Sequence, residues 1–305
     1  MISRPENREI LYIINPVAGK GKTLEVIPII KKMMAMQPHI KYKIVISKYV
    51  GNITEIVKLE YDDGCREFVA VGGDGSLSEM VNGFVFPNTD KVCFGIIPSG
   101  TGNDFVRNYD TSYKTEQILK GIIAYNHSPI DIGKVNNHYF VNVCSFGIDG
   151  PIIQDTEKYK SKMPGKSSYL FSTLKNGVTF TPNVAQVKIG DQTINAKVLL
   201  LAIGNGKYFG GGMNICPEAE LNDGLLEVCL VSDVSKLKFI KNISKVYNGT
   251  LNDLKEVNYY KSNEIEIQVE NGSYLINIDG NLCGTTPAKI GIIKEACYYY
   301  LPEME

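Results

Sequence analysis

The sequence predicts two domains, an N-terminal doubly wound, Rossmann-like α/β domain and a C-terminal antiparallel β-sandwich domain. Over residues 1–125, short buried strands alternate with helical stretches, which is typical of a parallel sheet covered by helices. From residue 126 onward, strands separated by two-residue turns replace that pattern, and residues 264–270 (EIEIQVE) alternate strictly between polar and apolar. A chain of 305 residues is long enough to build two cores.

The elements of the first domain follow in order along the chain. Strands are predicted at residues 10–15, 41–47, 68–73 and 92–99, and helices at residues 23–36, 52–62, 76–84 and 111–125. In a sheet of this kind, ligands bind at the carboxyl ends of the strands. Three glycine-rich segments, which follow the first, third and fourth strands, lie at those ends.

Three β-hairpins are predicted in the second domain. Their turns are expected at Asn136-Asn137, at Asp191-Gln192 and at Asn271-Gly272. Helical insertions are predicted at residues 165–180 and 235–249. We therefore place the first domain at residues 1–125 and the β-rich domain at residues 126–291.

Composition excludes some classes of function. The net charge is −1, so the basic excess that usually marks nucleic-acid binding is missing. No apolar stretch approaches the roughly 20 residues that span a bilayer. The seven cysteines show no CxxC spacing and mostly lie in apolar runs, as expected of free thiols in a reducing cytoplasm. The basic segment 158–166 is either a solvated surface or a membrane-docking site.

Two glycine-rich segments carry the strongest functional signal. Residues 72–76 (GGDGS) and 98–105 (PSGTGNDF) each follow a buried strand and lead into a helical stretch. Glycines at such a turn let the backbone approach a ligand and direct N–H groups at anionic oxygens. Asp74 and Asp104 would repel a phosphate by themselves, so they indicate a divalent cation between carboxylates and phosphate. One GGDG can be an ordinary turn, but two such loops favour a phosphate site.

A third segment, residues 16–23 (PVAGKGKT), comes one residue short of a P-loop. Pro16 stands where a P-loop needs its first glycine, and proline has a fixed φ and no N–H to donate. The chain also offers no strand that ends in the lone aspartate of a P-loop enzyme. A P-loop NTPase is therefore the disfavoured alternative.

Together with Asn15-Pro16-Val17-Ala18-Gly19-Lys20, these loops resemble the diacylglycerol kinase catalytic-domain family, the soluble bacterial lipid kinases and their sphingosine and ceramide kinase relatives. The resemblance covers nearly the whole chain. It implies ATP as co-substrate, Mg²⁺ as cofactor, and a return of residues 292–305 to complete the first domain. The implied nucleotide-binding residues are Asn15, Lys20, Ser47, Gly72, Gly73, Asp74, Gly75, Ser76, Thr101 and Asn103.

The resemblance also implies which carboxylates act. Asp279 is the favoured general base for the lipid hydroxyl, and Asp74 binds the Mg²⁺–nucleotide or takes part in proton transfer. The implied metal ligands are Asp104, Asp131, Glu220, Asp223 and the carbonyl of Leu225, the last three around a structural Mg²⁺ in the second domain. Plainer alternatives stay open: Asp131 as an inward strand residue satisfied by backbone, Asp279 as a turn residue, and Asn103-Asp104 as a helix N-cap pair.

One departure from the family pattern lies next to Asp279. Relatives commonly have Asp-Gly-Glu there, whereas this chain has Asp279-Gly280-Asn281. The loss of that carboxylate is compatible with a slower enzyme, a different acceptor, or an inactive relative retained for binding.

We therefore expect an ATP- and Mg²⁺-dependent lipid kinase that phosphorylates a hydroxyl of diacylglycerol or a related lipid at the membrane surface. Its active site is expected in the cleft between the domains, with residues 204–212 (GNGKYFGGG) as a loop near the lipid head group. Two rivals stay open, an NAD kinase-like enzyme and a catalytically weak nucleotide-binding regulator. The acceptor lipid and a homodimeric state are not decided by the sequence.

Overall fold

The computed structural model describes residues 5–84, 86, 92–109, 113–159, 162–163 and 166–303 of the chain. Four residues of the basic segment 158–166, at positions 160–161 and 164–165, lie outside the described residues. Within the described part, no helix is both long and apolar enough to cross a membrane.

The strands are β1 Arg8–Ile14, β2 Ile40–Ile46, β3 Glu67–Gly72, β4 Cys93–Pro98, β5 His127–Val135, β6 His138–Phe140, β7 Val143–Gly147, β8 Asn183–Ile189, β9 Gln192–Gly204, β10 Tyr208–Phe209, β11 Met213–Asn214, β12 Leu226–Ser232, β13 Val257–Ser262, β14 Glu264–Val269, β15 Leu275–Ile278, β16 Asn281–Thr285 and β17 Ala288–Tyr300. The α-helices are α1 Val26–Met34, α2 Asn52–Asp62, α3 Asp74–Val81, α4 Thr115–Ala124, α5 Asp149–Tyr159, α6 Lys166–Thr179 and α7 Lys236–Asn248. Short 3₁₀ helices lie at Ala18–Glu25, Val106–Asn108 and Leu251–Asp253.

The first compact unit, Met1–Ile132 with Lys294–Glu305, is built on a parallel sheet. Its strand order is β2, β1, β3, β4 and then the end of β17, where Tyr298 pairs with Cys93. Strands β1, β3 and β4 are almost entirely buried, as expected when helices cover both faces of a sheet. Helices α1 and α4 pack their apolar sides against this sheet.

A buried ion pair ties the amino ends of β1 and β3 together. The guanidinium of Arg8 contacts both carboxylate oxygens of Glu67, at 2.6 to 3.0 Å, and also donates to the carbonyls of Ile122 and Ile123. The hydroxyl of Tyr300 donates to the same carboxylate over 2.5 Å. Both charges are satisfied on several sides, which is the condition under which a buried pair is tolerated.

The second compact unit, Gly133–Ile293, is antiparallel throughout its described strand pairs. The long strand β9 lies at its centre: residues 192–198 pair with β8, and residues 200–204 pair with both β7 and β12. Strand β14 buries every second residue, as its alternating sequence predicts. The predicted fold class, an α/β domain followed by a β-sandwich, is confirmed.

Two of the three predicted hairpins are confirmed. Strands β5 and β6 pair around Asn136-Asn137, and β8 and β9 pair around Gly190-Asp191, one residue before the expected turn. The third prediction is wrong, because β14 pairs with β8 and β17 while β15 pairs with β7 and β16.

The buried side chain of Tyr274 explains the failure of the third hairpin. Its hydroxyl accepts from the N–H of Asn183 and donates to the carbonyl of Val198, both at 2.7 Å. These bonds hold the chain between β14 and β15 against β8 and β9, so Asn271-Gly272 does not close a tight turn.

Helices α6 and α7 occur where they are predicted. Ser235 caps α7 through its hydroxyl, which accepts from the N–H of Lys238, and Gly249 ends that helix at φ +66°. Helix α5 was not predicted, and it contains Gly150-Pro151 in its first turn. Proline is tolerated in the first turn of a helix, where its missing N–H would have no intrahelical partner.

An apolar cavity lies inside the second unit, with about 740 Å³ of empty space that is partly open to solvent. Helices α5, α6 and α7 line one side of it, and residues of β9, β12 and β13 line the other. All three helices therefore cover the same face of the antiparallel sheet.

Candidate active site

Three loops come together at the carboxyl edge of the parallel sheet in the first unit. They follow β1, β3 and β4, and hydrogen bonds join them: the N–H of Asn15 donates to the carbonyl of Val71, and that of Ser99 donates to the carbonyl of Gly72. Parallel strands all end on one edge, so segments far apart in sequence meet here. The glycine-rich segments singled out in the sequence form these loops.

The side chain of Asn15 connects the first loop to the second. Its Nδ2 donates to the Oγ of Ser76 over 2.9 Å, and its Oδ1 accepts from the N–H of Val17. A Cβ on Gly72 would lie 2.3 Å from the Ser76 Oγ, so only glycine fits beside this contact. The structure thus brings Asn15 and Ser76, which are both predicted to bind the nucleotide, into direct contact.

The segment after β1 differs from a P-loop in its geometry. Gly19, Lys20 and Gly21 all have positive φ, and a Cβ on Gly19 would lie 2.5 Å from the carbonyl oxygen of Ser99. Thr23 is fully buried and its hydroxyl donates to the carbonyl of Asn15 over 2.7 Å. That hydroxyl is therefore engaged with backbone, whereas a P-loop directs the equivalent hydroxyl to a metal ion.

The second and third loops touch through glycine. A Cβ on Gly100 would lie 2.7 Å from the Cα of Gly73, which leaves no room for a side chain. Asn103, at φ +50°, accepts from the N–H of Gly100 through its Oδ1 over 2.9 Å. Gly73 is the N-cap of α3, so the first N–H groups of that helix face this edge. Asn103 acts here as the residue that shapes the third loop.

The carboxylates of Asp74 and Asp104 lie on the same side of Gly102. A Cβ on Gly102 would be 3.0 Å from the Oδ2 of Asp74 and 3.4 Å from the Oδ2 of Asp104. Asp74 accepts from the N–H of Phe105 through its other oxygen, and Asp104 forms an ion pair with Arg107 at 3.5 Å. Burial raises the pKa of Asp74, and the backbone N–H groups of the third loop oppose that shift.

These two carboxylates fit a divalent cation that is completed by other ligands. Across the described residues, no group of three or more His, Cys, Asp or Glu side chains is placed to hold a metal ion. Mg²⁺ is commonly bound by one or two carboxylates together with water and phosphate oxygens of a substrate. Asp74 and Asp104 supply that partial set beside backbone amides that suit an anion.

The other residues predicted at the nucleotide surround this edge with different exposure. Lys20 and Thr101 are exposed, and Gly75 is exposed with nothing within 4 Å of a Cβ built on it. Ser47, directly after β2, is buried, and its N–H donates to the carbonyl of Ile14. Open space above Gly75 and Thr101 leaves room for a ligand at the second and third loops.

Asp131 has the environment expected of a structural carboxylate. It lies in β5, is fully buried, and its Oδ1 accepts from the N–H of Glu295 over 2.6 Å. Glu295 has a positive φ of 45°, so this bond stabilises an unfavourable backbone turn in β17. The arrangement matches the alternative in which backbone satisfies Asp131.

In the second unit, Asp279 occupies the tight turn between β15 and β16. Asp279 and Gly280 have φ values of +48° and +88°, the combination of a type I′ hairpin turn. The Oδ1 of Asp279 accepts from the N–H groups of Asn142 and Val143, and the Oδ2 of Asp279 accepts from the N–H of Val141, all within 3.0 Å. Three backbone donors therefore fix the orientation of this carboxylate.

The residues predicted around a structural Mg²⁺ lie in and before the turn that leads into β12. The Oδ1 of Asp223 accepts from the N–H of Leu225 over 2.9 Å, which forms a local turn, and its Oδ2 lies 3.6 Å from the Nζ of Lys261. Glu220 is exposed. The structure thus gives Asp223 a turn and an ion pair as its described contacts.

The predicted loop 204–212 contributes most of a small hairpin at residues 208–214. Strands β10 and β11 pair around Gly210–Gly212, and the amide of Asn142 donates to the carbonyl of Tyr208. The buried Asn205 donates to the carbonyl of Val141. This hairpin is therefore attached to the same backbone segment that Asp279 holds.

Asp149 is a buried titratable residue that the sequence analysis did not single out. Its Oδ2 accepts from the Oγ of Ser145 over 2.5 Å and from the Nδ2 of Asn277 over 2.6 Å, and it lines the apolar cavity. Burial raises the pKa of Asp149. The sequence offered one signal for Asp149: like Asp74, it comes two residues after the end of a buried strand.

Two families match the chain in succession. Residues 9–135 match the diacylglycerol kinase catalytic domain, and residues 142–298 match the YegS C-terminal NAD kinase beta sandwich-like domain. Curated relatives include the "Probable lipid kinase YegS-like" of Alcanivorax borkumensis, 29% identical over 83% of this chain and 84% of the relative. The diacylglycerol kinase of Bacillus subtilis is 27% identical over 83% of each chain.

Solved structures from Bacillus anthracis share the fold. A diacylglycerol kinase superposes with a TM-score of 0.74 over 97% of this chain and 98% of that chain, at 22% identity. Another crystal structure from that organism reaches a TM-score of 0.82 over 98% and 96% of the two chains, at 24% identity. With both family matches in place, the chain belongs to the diacylglycerol kinase catalytic-domain family, in the group that carries a YegS-type C-terminal domain.

Proposed function

We propose that the protein is an ATP- and Mg²⁺-dependent lipid kinase that phosphorylates a hydroxyl of diacylglycerol or a related lipid. One observation carries the proposal: the two glycine-rich loops touch at Gly73 and Gly100, and the carboxylates of Asp74 and Asp104 both lie beside Gly102 in the second of these loops. Backbone amides beside paired carboxylates suit a metal-bound polyphosphate. The names of the relatives indicate the lipid as phosphoryl acceptor.

In this proposal, the backbone of Gly72, Gly73 and Gly75 binds the phosphates of ATP. The start of α3 adds partial positive charge at the same place. The polar residues around the loops, Asn15, Lys20, Ser47, Ser76, Thr101 and Asn103, shape or contact the nucleotide site. Asp74 and Asp104 hold Mg²⁺, which neutralises the charge that spreads over the transferred phosphoryl group.

Asp279 is proposed as the proton acceptor for the lipid hydroxyl. An alcohol gains most from a base late in transfer, when its proton has become acidic. The N–H groups of Val141, Asn142 and Val143 support this role by fixing the carboxylate in one orientation. Asp131, Glu220, Asp223 and the carbonyl of Leu225 are proposed as further contributors to metal binding. Their described contacts are with backbone or Lys261.

The NAD kinase alternative is favoured by one observation, the likeness of the C-terminal domain to an NAD kinase sandwich. The regulator alternative rests on Asn281, an exposed residue at the start of β16 where relatives commonly have glutamate. Restoring that carboxylate with Asn281→Glu tests whether its loss limits turnover.

One experiment separates the three functions. The purified chain is incubated with Mg²⁺ and ATP labelled at the γ-phosphate, with dispersed diacylglycerol or with NAD as acceptor, and the lipid extract is compared with the aqueous phase. We expect label in the lipid extract and none for Asp74→Asn. Label in NADP would support the NAD kinase alternative, and nucleotide binding without transfer to either acceptor would support the regulator.

A further inference from the structure

Helix α6 in the second unit exposes its apolar residues and buries polar ones. Its apolar residues Leu170, Phe171, Leu174 and Val178 face solvent, and Leu170 is 51% exposed. Its buried positions carry polar side chains, Ser168, Ser172, Thr173 and Asn176. A surface helix of a globular protein normally buries its apolar stripe and exposes its polar one. The reversed arrangement indicates that the outer face of α6 meets an apolar environment outside the chain.

Helix α7 extends this apolar face. Leu237, Ile240 and Tyr247 lie three and seven residues apart, which places them on one side of the helix, and all three are exposed. Leu237 is 74% exposed. No residue of α7 falls in the buried class.

The two helices are neighbours with the same orientation toward the sheet. A Cβ on Gly177 of α6 would lie 2.2 Å from the ring of Phe239 in α7, so the helices pack directly at this glycine. Tyr169 and Thr173 of α6 and Val246 of α7 line the same apolar cavity. The opposite faces of both helices therefore point outward on the same side of the unit.

The charge of this region is one-sided. Helices α6 and α7 hold six lysines and no aspartate or glutamate, in a chain whose net charge is −1, and Lys175 of α6 pairs with Asp155 of α5. On α7, Lys238 pairs with Glu256 and Lys245 pairs with Asp253. Among the described residues, Lys236 and Lys241 have no acidic partner, and both are exposed beside the apolar stripe.

We propose that the outer faces of α6 and α7 form a docking surface for a membrane that contains anionic phospholipids. Exposed apolar side chains that lie beside lysines match the acyl boundary and the anionic headgroups of such a bilayer. A second copy of the chain would present the same positive charge, so two copies would repel each other at this surface. The inference deepens the proposed function, because a lipid acceptor has to be reached at a membrane surface.

The test measures binding of the full chain to vesicles by sedimentation. Vesicles of phosphatidylcholine alone are compared with vesicles of phosphatidylcholine and phosphatidylglycerol in equal parts. We expect binding only to the anionic vesicles, weakened by salt. Lys236→Glu/Lys241→Glu should lower the partition coefficient at least about tenfold, since each lysine near an anionic surface is worth about 1 kcal/mol and each is reversed. Leu170→Ser/Leu237→Ser should lower it as well.

Matched variants control for charge and for exposed apolar area. Lys41→Glu/Lys188→Glu reverses two exposed lysines elsewhere, and Leu59→Ser replaces a leucine that is 68% exposed on α2. Both should bind vesicles as the wild type does. Thermal unfolding verifies that every variant is folded, which the exposure of the replaced side chains favours.

Several results would overturn the docking surface. One is equal binding to both kinds of vesicle, and another is wild-type binding by the α6 and α7 variants. A wild-type dimer that the Leu170→Ser/Leu237→Ser variant converts to monomer, without vesicle binding, would assign the surface to self-association instead. Binding needs no ATP, so vesicle binding without any kinase activity would defeat the proposed function and leave this surface standing.

Discussion

Gly73 and Gly100 belong to loops that follow different strands, yet a Cβ on Gly100 would lie 2.7 Å from the Cα of Gly73. Backbone meets backbone at this point, so there is no room for a side chain between the loops. The contact holds Asp74, the neighbour of Gly73, near Asp104 of the other loop. Glycine at these positions therefore serves the arrangement of the carboxylates as well as the turn itself.

We expect Gly100→Ala to separate the two loops. The added methyl group would also lie 2.8 Å from the Oδ1 of Asn103, so overpacking should lower the free energy of unfolding by about 1–3 kcal/mol. Calorimetric affinity for ATP with Mg²⁺ should fall at least about tenfold, since the loops supply the phosphate contacts. Gly291→Ala, whose methyl group would be 3.7 Å from its nearest neighbour, is the control. Unchanged stability and affinity in Gly100→Ala would refute the close approach.

Asp74→Asn and Asp104→Asn should each lower kcat at least about 100-fold while the fold is kept. Each substitution removes a charge that faces the other carboxylate beside Gly102 and leaves the side-chain shape unchanged. The Mg²⁺ concentration for half-maximal activity should rise, because a neutral amide is a weaker Mg²⁺ ligand. Asp62→Asn, at an exposed position on α2, should behave as wild type. Wild-type Mg²⁺ dependence in both variants would remove the metal assignment.

Asp279→Ala should destabilise the second unit as well as stop transfer. It removes the acceptor for the N–H groups of Val141, Asn142 and Val143, and unsatisfied donors in such a place cost about 1–3 kcal/mol each when buried. We expect urea denaturation to show a loss of about 2–4 kcal/mol. Asn281→Ala, an exposed position in the same hairpin, should leave stability near wild type.

Activity and stability can be separated at this residue with Asp279→Asn. Its amide oxygen can still accept from two N–H groups, so stability should fall less than in Asp279→Ala, whereas a proton acceptor is absent from both variants. Rapid transfer by a folded Asp279→Asn enzyme would remove the base assignment and leave the turn role intact.

Much of the first unit could be predicted because its signals are local. The apolar runs before Asp74 and before Pro98 predict buried strands, and glycine follows each of them. Parallel strands end on a common edge, so the meeting of these loops follows from the fold class. The depth of the contact between Gly73 and Gly100 depends on strand register, which the sequence does not encode locally.

Prediction from the sequence failed where a contact with a residue far away in the chain overrides the local sequence pattern. Asn271-Gly272 is a strong turn signal, but Tyr274 bonds to the backbone of Asn183 and Val198 and draws the chain away. The three N–H donors on Asp279 come from residues more than 130 positions earlier. Such partners can be identified only after the strand pairing is known.

Because Asp149 is buried, we expect it to make the free energy of unfolding decrease as pH rises. Burial raises the pKa of Asp149 above its ordinary value near 3.8, so the folded state holds a proton that the unfolded state releases. The stability from that proton is fully present below the unfolded pKa and is lost as pH rises through the folded pKa. Asp149→Asn is neutral at every pH, and its amide oxygen can still accept from Ser145 and Asn277. In urea denaturation, the free energy of unfolding of Asp149→Asn minus that of the wild type should therefore increase as pH rises from the ordinary pKa of an aspartate through the raised pKa of Asp149 in the folded state. A constant difference for Asp149→Asn would contradict the burial argument.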